Sequence, residues 1–355
     1  MDPIQQRLTN QGIARPRFRR ADEVVAWLGA VQAQEYQPSK WALGLRLRGA
    51  TDADVERAVT GGEILRTHVL RPTWHYVAAA DLVWMQRLTG PRVQRAMEVY
   101  RRQLELDGAT MQRATTVFER ALRDRRHLTR PELGERLRRA GIALSGVRLM
   151  HAALYAELEA VICSGPRADK HATYALVAER VVRPLDLAGD EALAELTRRF
   201  FRSHGPATIR DFVWWSGLRT ADARRGLDII RAAPRELDGH VYWSVPSRTA
   251  SLVAADSVHL LPIYDEYLVA YRDRLAVPHG PATLATSAAG SVTFQHAVVI
   301  DGHVAGTWRV DRSRSAQVLR VIPLRRLAAA ECRGLEAEAE HYGRFTGISV
   351  SLSIG

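Results

Sequence analysis

Two glutamines, Gln32 and Gln34, stand two residues apart in the segment Ala30-Val31-Gln32-Ala33-Gln34. A glutamine carbonyl oxygen can accept a hydrogen bond from a water, and the amide nitrogen can donate one to a phosphate or sugar oxygen. The group is a poor proton acceptor, so this pair can place a water but cannot act as a strong general base. The alternative is that both are solvated glutamines at the end of a helix.

The spacing of the two glutamines limits the backbone that can bring them together. Side chains two apart point to nearly opposite sides of a regular helix, whereas they share a face on extended backbone. Apolar residues at helical spacing predict a helix from Asp22 to Val31, which Pro38 ends by disfavouring helix at Gln37. We therefore expect irregular backbone around the glutamines, or different partners for each.

The charge of the chain predicts a polyanionic partner. The net charge is +11 and the pI is near 10.2, and each phosphate that a basic protein neutralises releases counterions and adds affinity. Only Lys40 and Lys170 are lysines, and all the other basic residues are arginines, which suit bidentate phosphate contacts. A GC-rich genome would also raise arginine over lysine, but it does not explain the positive balance. Nucleic acid is the first candidate partner.

Three basic residues are candidates for DNA contact. Arg71 and His75 lie in Ile64 to Ala78, a segment typical of a β-hairpin with its bend at Arg71-Pro72. We expect Arg71 to contact a phosphate and His75 to lie near the sugar or the glutamines. The alternative for His75 is a strand histidine that backbone groups satisfy. Lys40, six residues after Gln34, is the third candidate.

A pair of carboxylates is framed by two aromatic residues, Tyr264 and Tyr267. Asp265 of this pair is a candidate supporting carboxylate, which could orient Arg272 or approach the substrate. The alternative is that Asp265 and Glu266 form internal salt bridges that fix the C-terminal domain.

Several function classes lack their sequence signals. The twelve histidines are scattered without a carboxylate at helical zinc-site spacing, so neither a metal site nor a cofactor is predicted. Glycine-rich phosphate loops and the Gly-x-Ser-x-Gly motif are absent from the sequence, which argues against nucleotide hydrolysis and serine esterase chemistry. Cys163 and Cys332 are too few for a disulfide scaffold. Without an apolar run of about 18 residues or a signal-peptide pattern, we expect a cytoplasmic, nucleoid-associated protein with no membrane partner.

The elements that must position these residues predict an α+β fold. Residues 1–80 show helix, helix, helix and hairpin, which is the order of a winged helix, with a second helix over Lys40 to Leu47 and a capping box at Thr51 and Asp54. Residues 81–126 predict a basic helical connector, broken at Gly90-Pro91 and again near Asp107-Gly108.

Two further winged helices and one different domain are predicted. Residues 127–185 contain a capped helix after Thr129, a helix over Ser145 to Glu159 and a wing over Val161 to Val177. Residues 186–250 echo this pattern, with helix caps at Thr208 and Thr220 and a hairpin turning at Asp238-Gly239.

The last predicted domain, residues 251–355, is a C-terminal α+β domain with a β-hairpin. Strands over Val292 to Val299 and Val304 to Val310 flank a turn at Asp301-Gly302. A helix over Leu327 to Tyr342 then precedes a final strand over Ile348 to Ile354.

Three segments together resemble the AlkZ and YcaQ family of winged-helix DNA glycosylases. They are Ala30 to Gln34, Arg66 to His75 (RTHVLRPTWH), and Leu260 to Tyr267 (LLPIYDEY) followed by Tyr271-Arg272-Asp273-Arg274. The resemblance implies tandem winged-helix domains around duplex DNA, with Gln32 and Gln34 as the catalytic residues. Because Gln34 stands where YcaQ-like members carry aspartate, the chain resembles the AlkZ-like branch, which is associated with self-resistance to DNA-alkylating antibiotics and with unhooking interstrand crosslinks. Pro72 departs from the small residue typical of the family.

A glutamine pair suits one class of substrate within that resemblance. An N7-alkylated purine is already cationic and leaves as a neutral base, so the enzyme must chiefly stabilise an oxocarbenium-like sugar and place a water. We therefore predict a monofunctional glycosylase for double-stranded DNA containing alkylated purines. A glycosylase for neutral bases would need a general acid or base and, typically, a base-flipping cavity.

The competing function is a non-enzymatic winged-helix regulator. Such regulators are usually dimers that read palindromic sites, whereas three dissimilar modules in one chain favour a monomer that encircles DNA.

Overall fold

The computed structural model describes residues 2–237, 239–246, 257–272, 295–312 and 317–355. Helices and strands are mixed along the whole chain, which confirms the α+β class. Three units with a similar order of elements are followed by a five-stranded sheet. None of the helices in these ranges is long and apolar enough to cross a membrane.

The first unit carries the glutamine pair. Its elements are α1 (Pro3–Asn10), α2 (Ala21–Leu28), β1 (Val31–Gln32), α3 (Tyr36–Gly44), α4 (Asp52–Gly61), β2 (Ile64–His68) and β3 (Trp74–Ala78). The three strands form an antiparallel sheet in the order β1-β3-β2. The predicted hairpin is confirmed, with Arg71-Pro72 in its connection, and so is the capping box of Thr51 and Asp54.

The helix predicted over Asp22 to Val31 is wrong in its last three residues. It ends at Leu28 because Gly29 adopts a φ of 87°, which favours glycine, and the chain then enters β1. Pro38 does not end this helix. It lies in the first turn of α3, where a proline sacrifices no helical hydrogen bond.

The second unit follows a long helix. After a 3₁₀ turn at Ala79–Asp81 come α5 (Leu82–Gln103), α6 (Gly108–Leu122), β4 (Leu128–Thr129), α7 (Arg130–Arg139), α8 (Gly146–Leu158), β5 (Ile162–Ser164) and β6 (Thr173–Leu176). Its strands pair in the order β4-β6-β5. The capping box at Thr129 is confirmed, as are the third helix and a strand pair within the segment Val161 to Val177.

The predicted connector differs from the structure in two ways. α5 runs unbroken through Gly90 and Pro91, so the first predicted break is wrong. α6 is not a separate link, because Met111, Phe118 and Leu122 lie in the hydrophobic core of the second unit.

The third unit contains α9 (Val177–Arg180), α10 (Gly189–Ser203), α11 (Ile209–Ser216), α12 (Thr220–Ile229), β7 (Pro234–Leu237) and β8 (His240–Trp243). Thr208 caps α11 as predicted. α12 differs slightly, because Arg219 rather than Thr220 is its cap residue. The strand pair is confirmed, and Asp238 of its predicted turn lies outside the described residues.

The C-terminal elements are β9 (Val258–Leu261), α13 (Glu266–Val269), β10 (Ala297–Ile300), β11 (His303–Arg312), β12 (Gln317–Pro323), α14 (Ala329–Thr346) and β13 (Val350–Ile354). The sheet order is β13-β12-β11-β10-β9, with β12 and β13 parallel. The turn at Asp301-Gly302 is confirmed. The first residues of the predicted strand, 292–294, lie outside the described part of the chain.

The C-terminal sheet and the first unit share one hydrophobic core. Val31 and Trp41 from the first unit lie in the same buried cluster as Leu260, Trp308 and Phe345. The first and last segments, predicted as separate domains, are therefore packed together. This packing brings residues 262–271 against β1.

Candidate active site on the first strand

Strand β1 ends at Gln32, and Gln34 lies in a bend two residues further on. Gln32 pairs with His75 of β3, and the N–H of Ala33 donates to the carbonyl of Trp74 over 2.7 Å. The backbone therefore leaves the regular strand after Gln32, as the spacing predicts, and the two glutamines have different side-chain partners.

Gln32 is held from two sides. Its side-chain Oε1 accepts a hydrogen bond from Arg71 Nη2 at 3.0 Å, and its backbone N–H donates to Glu266 Oε1 at 2.7 Å. The residue is 7% exposed. Because a guanidinium only donates, the amide oxygen must face Arg71. The Nε2 amide of Gln32 has no acceptor among the described residues and is available as a donor.

Gln34 is exposed and more loosely held. Its Oε1 accepts a long hydrogen bond from the Trp74 N–H at 3.3 Å, and its backbone carbonyl accepts from Arg66 Nη2 at 3.2 Å. A carbonyl oxygen has two lone pairs, so Oε1 retains one for a further donor such as water. The two glutamines thus differ: one presents a donor and the other an acceptor.

Glu266 is a fully buried carboxylate directly behind Gln32. Its second oxygen accepts from Trp215 Nε1 at 3.0 Å and lies 3.5 Å from His204 Nε2. Burial alone would raise the pKa of Glu266, but the His204 ring beside it, with His75 and Arg71 nearby, holds that pKa below its usual value. The group is therefore an anion at neutral pH.

Asp265 does not reach the glutamines. Both its oxygens accept from Arg46, each at 2.8 Å, and both side chains are completely buried. The Arg272 backbone N–H donates to Asp211, so Asp265 does not orient Arg272 either. The internal salt bridge is the interpretation that the structure supports. The neighbouring residue, Glu266, is the carboxylate that contacts the motif.

His75 lies beside Gln32 and is fully buried. Its Nδ1 donates to the Thr73 carbonyl at 2.9 Å, because a carbonyl can only accept, and this leaves Nε2 as an unprotonated acceptor without a hydrogen-bond partner. Burial, with the charge of Arg71 second, lowers the pKa of His75 to about 3. His75 is neutral at physiological pH. His75 has the backbone partner that one interpretation predicted, and it lies near the glutamines as the other predicted.

Two residues predicted to contact DNA bind other side chains of the protein. Arg71 Nη2 donates to Gln32 Oε1, and its guanidinium lies 5.9 Å from the Trp214 ring, so Arg71 contacts the glutamine motif. Lys40 is 2% exposed and its Nζ binds Asp52 at 2.7 Å and Glu56 at 2.9 Å. Lys40 is therefore not available to DNA in this structure.

Three functional neighbours of the motif carried no sequence signal. Glu266 was recognised only as part of a carboxylate pair, and neither Trp215 nor His204 stands at a spacing that links it to Gln32. Their contacts join segments that are far apart in the chain. No group of three or more histidine, cysteine, aspartate or glutamate residues able to hold a metal occurs within the described ranges.

The basic charge, the mixed α+β fold and a hydrogen-bonding site at a sheet strand fit a protein that binds DNA. Residues 25–345 match the sequence model of the family described as DNA glycosylase AlkZ-like. The chain belongs to this family and is a DNA glycosylase. The interpretation as a non-enzymatic regulator is therefore wrong.

Two relatives cover almost the whole chain. A protein described as an interstrand DNA cross-link repair glycosylase from Streptomyces sahachiroi is 24% identical over 363 aligned positions, which span 93% of this chain and 91% of the relative. The solved structure of Streptomyces sahachiroi DNA glycosylase AlkZ superposes with a TM-score of 0.80 at 23% identity, over 99% of this chain and 98% of that one. The two proteins share a fold.

Proposed function

We propose that the enzyme hydrolyses the N-glycosidic bond of cationic N7-alkylated purines in duplex DNA. The observation that carries this proposal is the hydrogen bonding of the groups at the motif, because both oxygens of Glu266 accept and the His75 ring donates its one proton to the Thr73 carbonyl. Glu266 is a buried anion, and the Nε2 of His75 is an unprotonated acceptor. Neither group has a proton to give to a departing base. A base that leaves without protonation is one that already carries positive charge.

The two glutamines divide the work between them. The free lone pair of Gln34 Oε1 orients a water toward the sugar carbon, while Gln32 Nε2 donates to a sugar or phosphate oxygen. The oxocarbenium-like sugar is positive, and the buried carboxylate of Glu266 adds negative charge behind the strand. Arg71 fixes the Gln32 amide, so its donor points in one direction.

We infer that the three similar units are winged-helix domains that contact the duplex. In each of the first two units, two helices and a hairpin follow a short strand, with equivalent sheet orders of β1-β3-β2 and β4-β6-β5. In the third unit, Ala207 makes the corresponding bridge to Trp243. The predicted boundaries near residues 80, 126, 185 and 250 and the monomeric state belong to this proposal.

The enzyme's natural lesions are proposed to include interstrand crosslinks. The Streptomyces sahachiroi relative is described as acting on such crosslinks, and a crosslink formed through purine N7 carries the same positive charge as a simple N7 adduct. Self-resistance to a DNA-alkylating antibiotic, at the nucleoid in the cytoplasm, is the setting that fits this substrate.

Excision from a duplex carrying one N7-methylguanine tests the proposal. Abasic sites are cleaved with alkali, and the Gln32→Ala/Gln34→Ala variant is compared with wild type and with Gln112→Ala, an exposed glutamine on α6. We expect wild type and Gln112→Ala to release the base, and the double variant to lose activity while it keeps its duplex affinity. Full activity in the double variant would remove the motif from the mechanism.

A crosslinked duplex extends the same assay. If N7-methylguanine is not excised but an N7-linked crosslink is unhooked, the enzyme is restricted to bulky lesions. Failure on both substrates, with intact duplex binding, would contradict the proposed substrate class.

A further inference from the structure

A cavity with aromatic walls lies beside the glutamine motif. It has a volume of about 220 Å³ and lies between α3, the end of α14 and the C-terminal sheet. Its walls include Trp41, Trp308, Tyr342 and Phe345. Gln37 and Pro38, in the first turn of the helix that follows the motif, also line it.

Aromatic rings and polar side chains both form these walls. The indole N–H groups of Trp41 and Trp308 donate to the carbonyls of Leu260 and Leu261 at 2.7 and 2.8 Å. Because the polar edge of each indole is used in this way, what remains for a ligand is the apolar ring. The Trp41 and Tyr342 rings are 5.2 Å apart and the Trp308 and Tyr342 rings 5.4 Å. Such surfaces favour a flat aromatic ligand that stacks or packs edge to face.

Four polar residues line the cavity together with the aromatic rings: Gln37, Asp52, His296 and Thr346. His296 lines it, and its Nδ1 accepts from the Ile263 N–H at 3.1 Å, so the ring proton is on Nε2. Nε2 has no hydrogen-bond partner among the described residues. Burial lowers the pKa of His296 to about 4, so the ring is neutral at physiological pH. The cavity thus offers the His296 N–H as a donor to an acceptor atom on the edge of a ligand.

The position of the cavity relates it to the reaction. Gln37 stands three residues after Gln34, a separation of at most about 10 Å along the chain. A planar group attached to a lesion, or released from it, would therefore have a short path from the motif to the cavity.

We propose that this aromatic cavity binds a planar aromatic ring of purine size through its faces, and that the His296 Nε2–H donates one hydrogen bond to an acceptor at the edge of this ligand. The identity of the ring rests on the proposed function. Its two sources are the purine base released by the reaction and an aromatic substituent of an adduct that is still attached to DNA. Both present the same chemistry to the cavity.

Equilibrium dialysis with free 7-methylguanine tests the site without requiring excision. Val310 lines the cavity and is partly buried, so Val310→Trp should fill the space, and Val182→Trp is the matched control because Val182 is 84% exposed. We expect Val310→Trp to weaken binding by at least about tenfold, in line with the loss of one stacked base. Val182→Trp should bind as wild type does.

His296→Asn is a second variant, chosen because it should leave the fold intact. An asparagine oxygen can replace Nδ1 as the acceptor for the Ile263 N–H, but the Nε2 donor is lost. We expect about fivefold weaker binding of 7-methylguanine, as for one neutral hydrogen bond.

Duplex binding separates the two sources of the ring. If N7-benzylguanine DNA binds wild type more tightly than N7-methylguanine DNA, and Val310→Trp abolishes the difference, the cavity takes the substituent. If Val310→Trp loses only the binding of free 7-methylguanine, the cavity takes the released base. Unchanged values for both ligands in folded Val310→Trp and His296→Asn overturn the proposal. Binding without any excision would keep the cavity and reject the proposed function instead.

Discussion

Arg71 acts on the glutamine motif through a hydrogen bond, which changes what its removal should do. Its guanidinium is the described partner of the Gln32 side-chain oxygen. We predict that Arg71→Ala lowers the single-turnover excision rate by about 100-fold, as expected when a positioned group moves by about 1 Å. The slope of log affinity against log salt should not change, because no phosphate contact is lost.

Excision rates and duplex affinities at several salt concentrations check this prediction. Arg71→Lys, which keeps a donor but not the planar fork, should recover part of the rate. A salt slope reduced by about one unit in Arg71→Ala would show that the side chain contacts a phosphate after all.

Glu266 is expected to position Gln32 rather than to touch the substrate. We predict that Glu266→Gln lowers the single-turnover rate by about 100-fold while duplex affinity stays within about twofold. The reason is that Gln32 N–H and Trp215 Nε1–H are both donors, so the new amide group cannot accept from both.

For Glu266→Gln, the informative result is a lower excision rate at nearly unchanged duplex affinity. Thermal unfolding should be recorded first, and both assays should be run where each protein is folded. A wild-type rate under those conditions would give Glu266 a purely structural role.

The residue types of the motif could be read from the sequence, but their partners could not. Glutamines two apart, and a histidine and arginine on a hairpin, are local patterns. The bond from Glu266 to the backbone of Gln32 joins positions 234 apart. A backbone donor has no residue type, so no spacing reveals it. The sequence therefore indicated the neighbouring Asp265, whose partner is Arg46.

Among the elements, those with strong local signals were predicted and those decided by packing were not. The caps at Thr51, Thr129 and Thr208 were found because cap residues leave a pattern. β1 has only two residues and exists because β3 lies beside it. α5 continues through Gly90-Pro91, where Gly90 packs so closely against the Leu158 carbonyl that a Cβ would lie 2.9 Å from it.

Lys40 on α3 pairs with two carboxylates on α4. This pairing predicts that replacing Lys40 lowers the stability of the protein. Lys40 binds two carboxylates whose side chains are about a third exposed, Asp52 at 33% and Glu56 at 31%. Lys40→Ala leaves two like charges without their partner, which we expect to cost about 2 kcal/mol of the free energy of unfolding, less than for a fully buried pair. The salt slope for duplex binding should stay the same.

Lys170 provides the matched control, because it is the other lysine of the chain and is exposed. Urea unfolding of Lys170→Ala should match wild type. If Lys40→Ala unfolds like wild type but binds DNA with a weaker salt dependence, Lys40 faces DNA and the buried ion pair is not its role.

At the scale of the whole molecule, the active site depends on the chain folding back on itself. Arg46 in the first unit and Asp265 near the C-terminal sheet form a buried bidentate pair, and Tyr271 packs in the core of the third unit. The segment that carries Glu266 is thus fixed between the first and third units. Catalytic geometry at β1 is a property of the assembled fold and not of one module.

Several buried histidines give this assembled fold a pH dependence. Burial lowers the pKa of His75 to about 3 and that of His296 to about 4, and it also lowers the pKa values of His204 and His259. In the unfolded chain a histidine titrates near 6.5. Stability from these neutral rings is fully present above about pH 6.5. It is lost as pH falls toward the folded values, because only the unfolded state takes up the protons.

We therefore predict that the free energy of unfolding falls between pH 7 and pH 5, with His75 and His296 each contributing about 2 kcal/mol of that loss. The excision rate of the folded enzyme should stay within about twofold from pH 6.5 to 8, because Glu266 remains charged and His75 neutral throughout. Urea titrations at several pH values, with exposed His171→Asn as control, check the first part, and single-turnover rates check the second. Constant stability down to pH 5 would mean that these rings gain protons inside the fold. A bell-shaped rate profile would mean that a general acid or base takes part, and the substrate class would then have to include neutral bases.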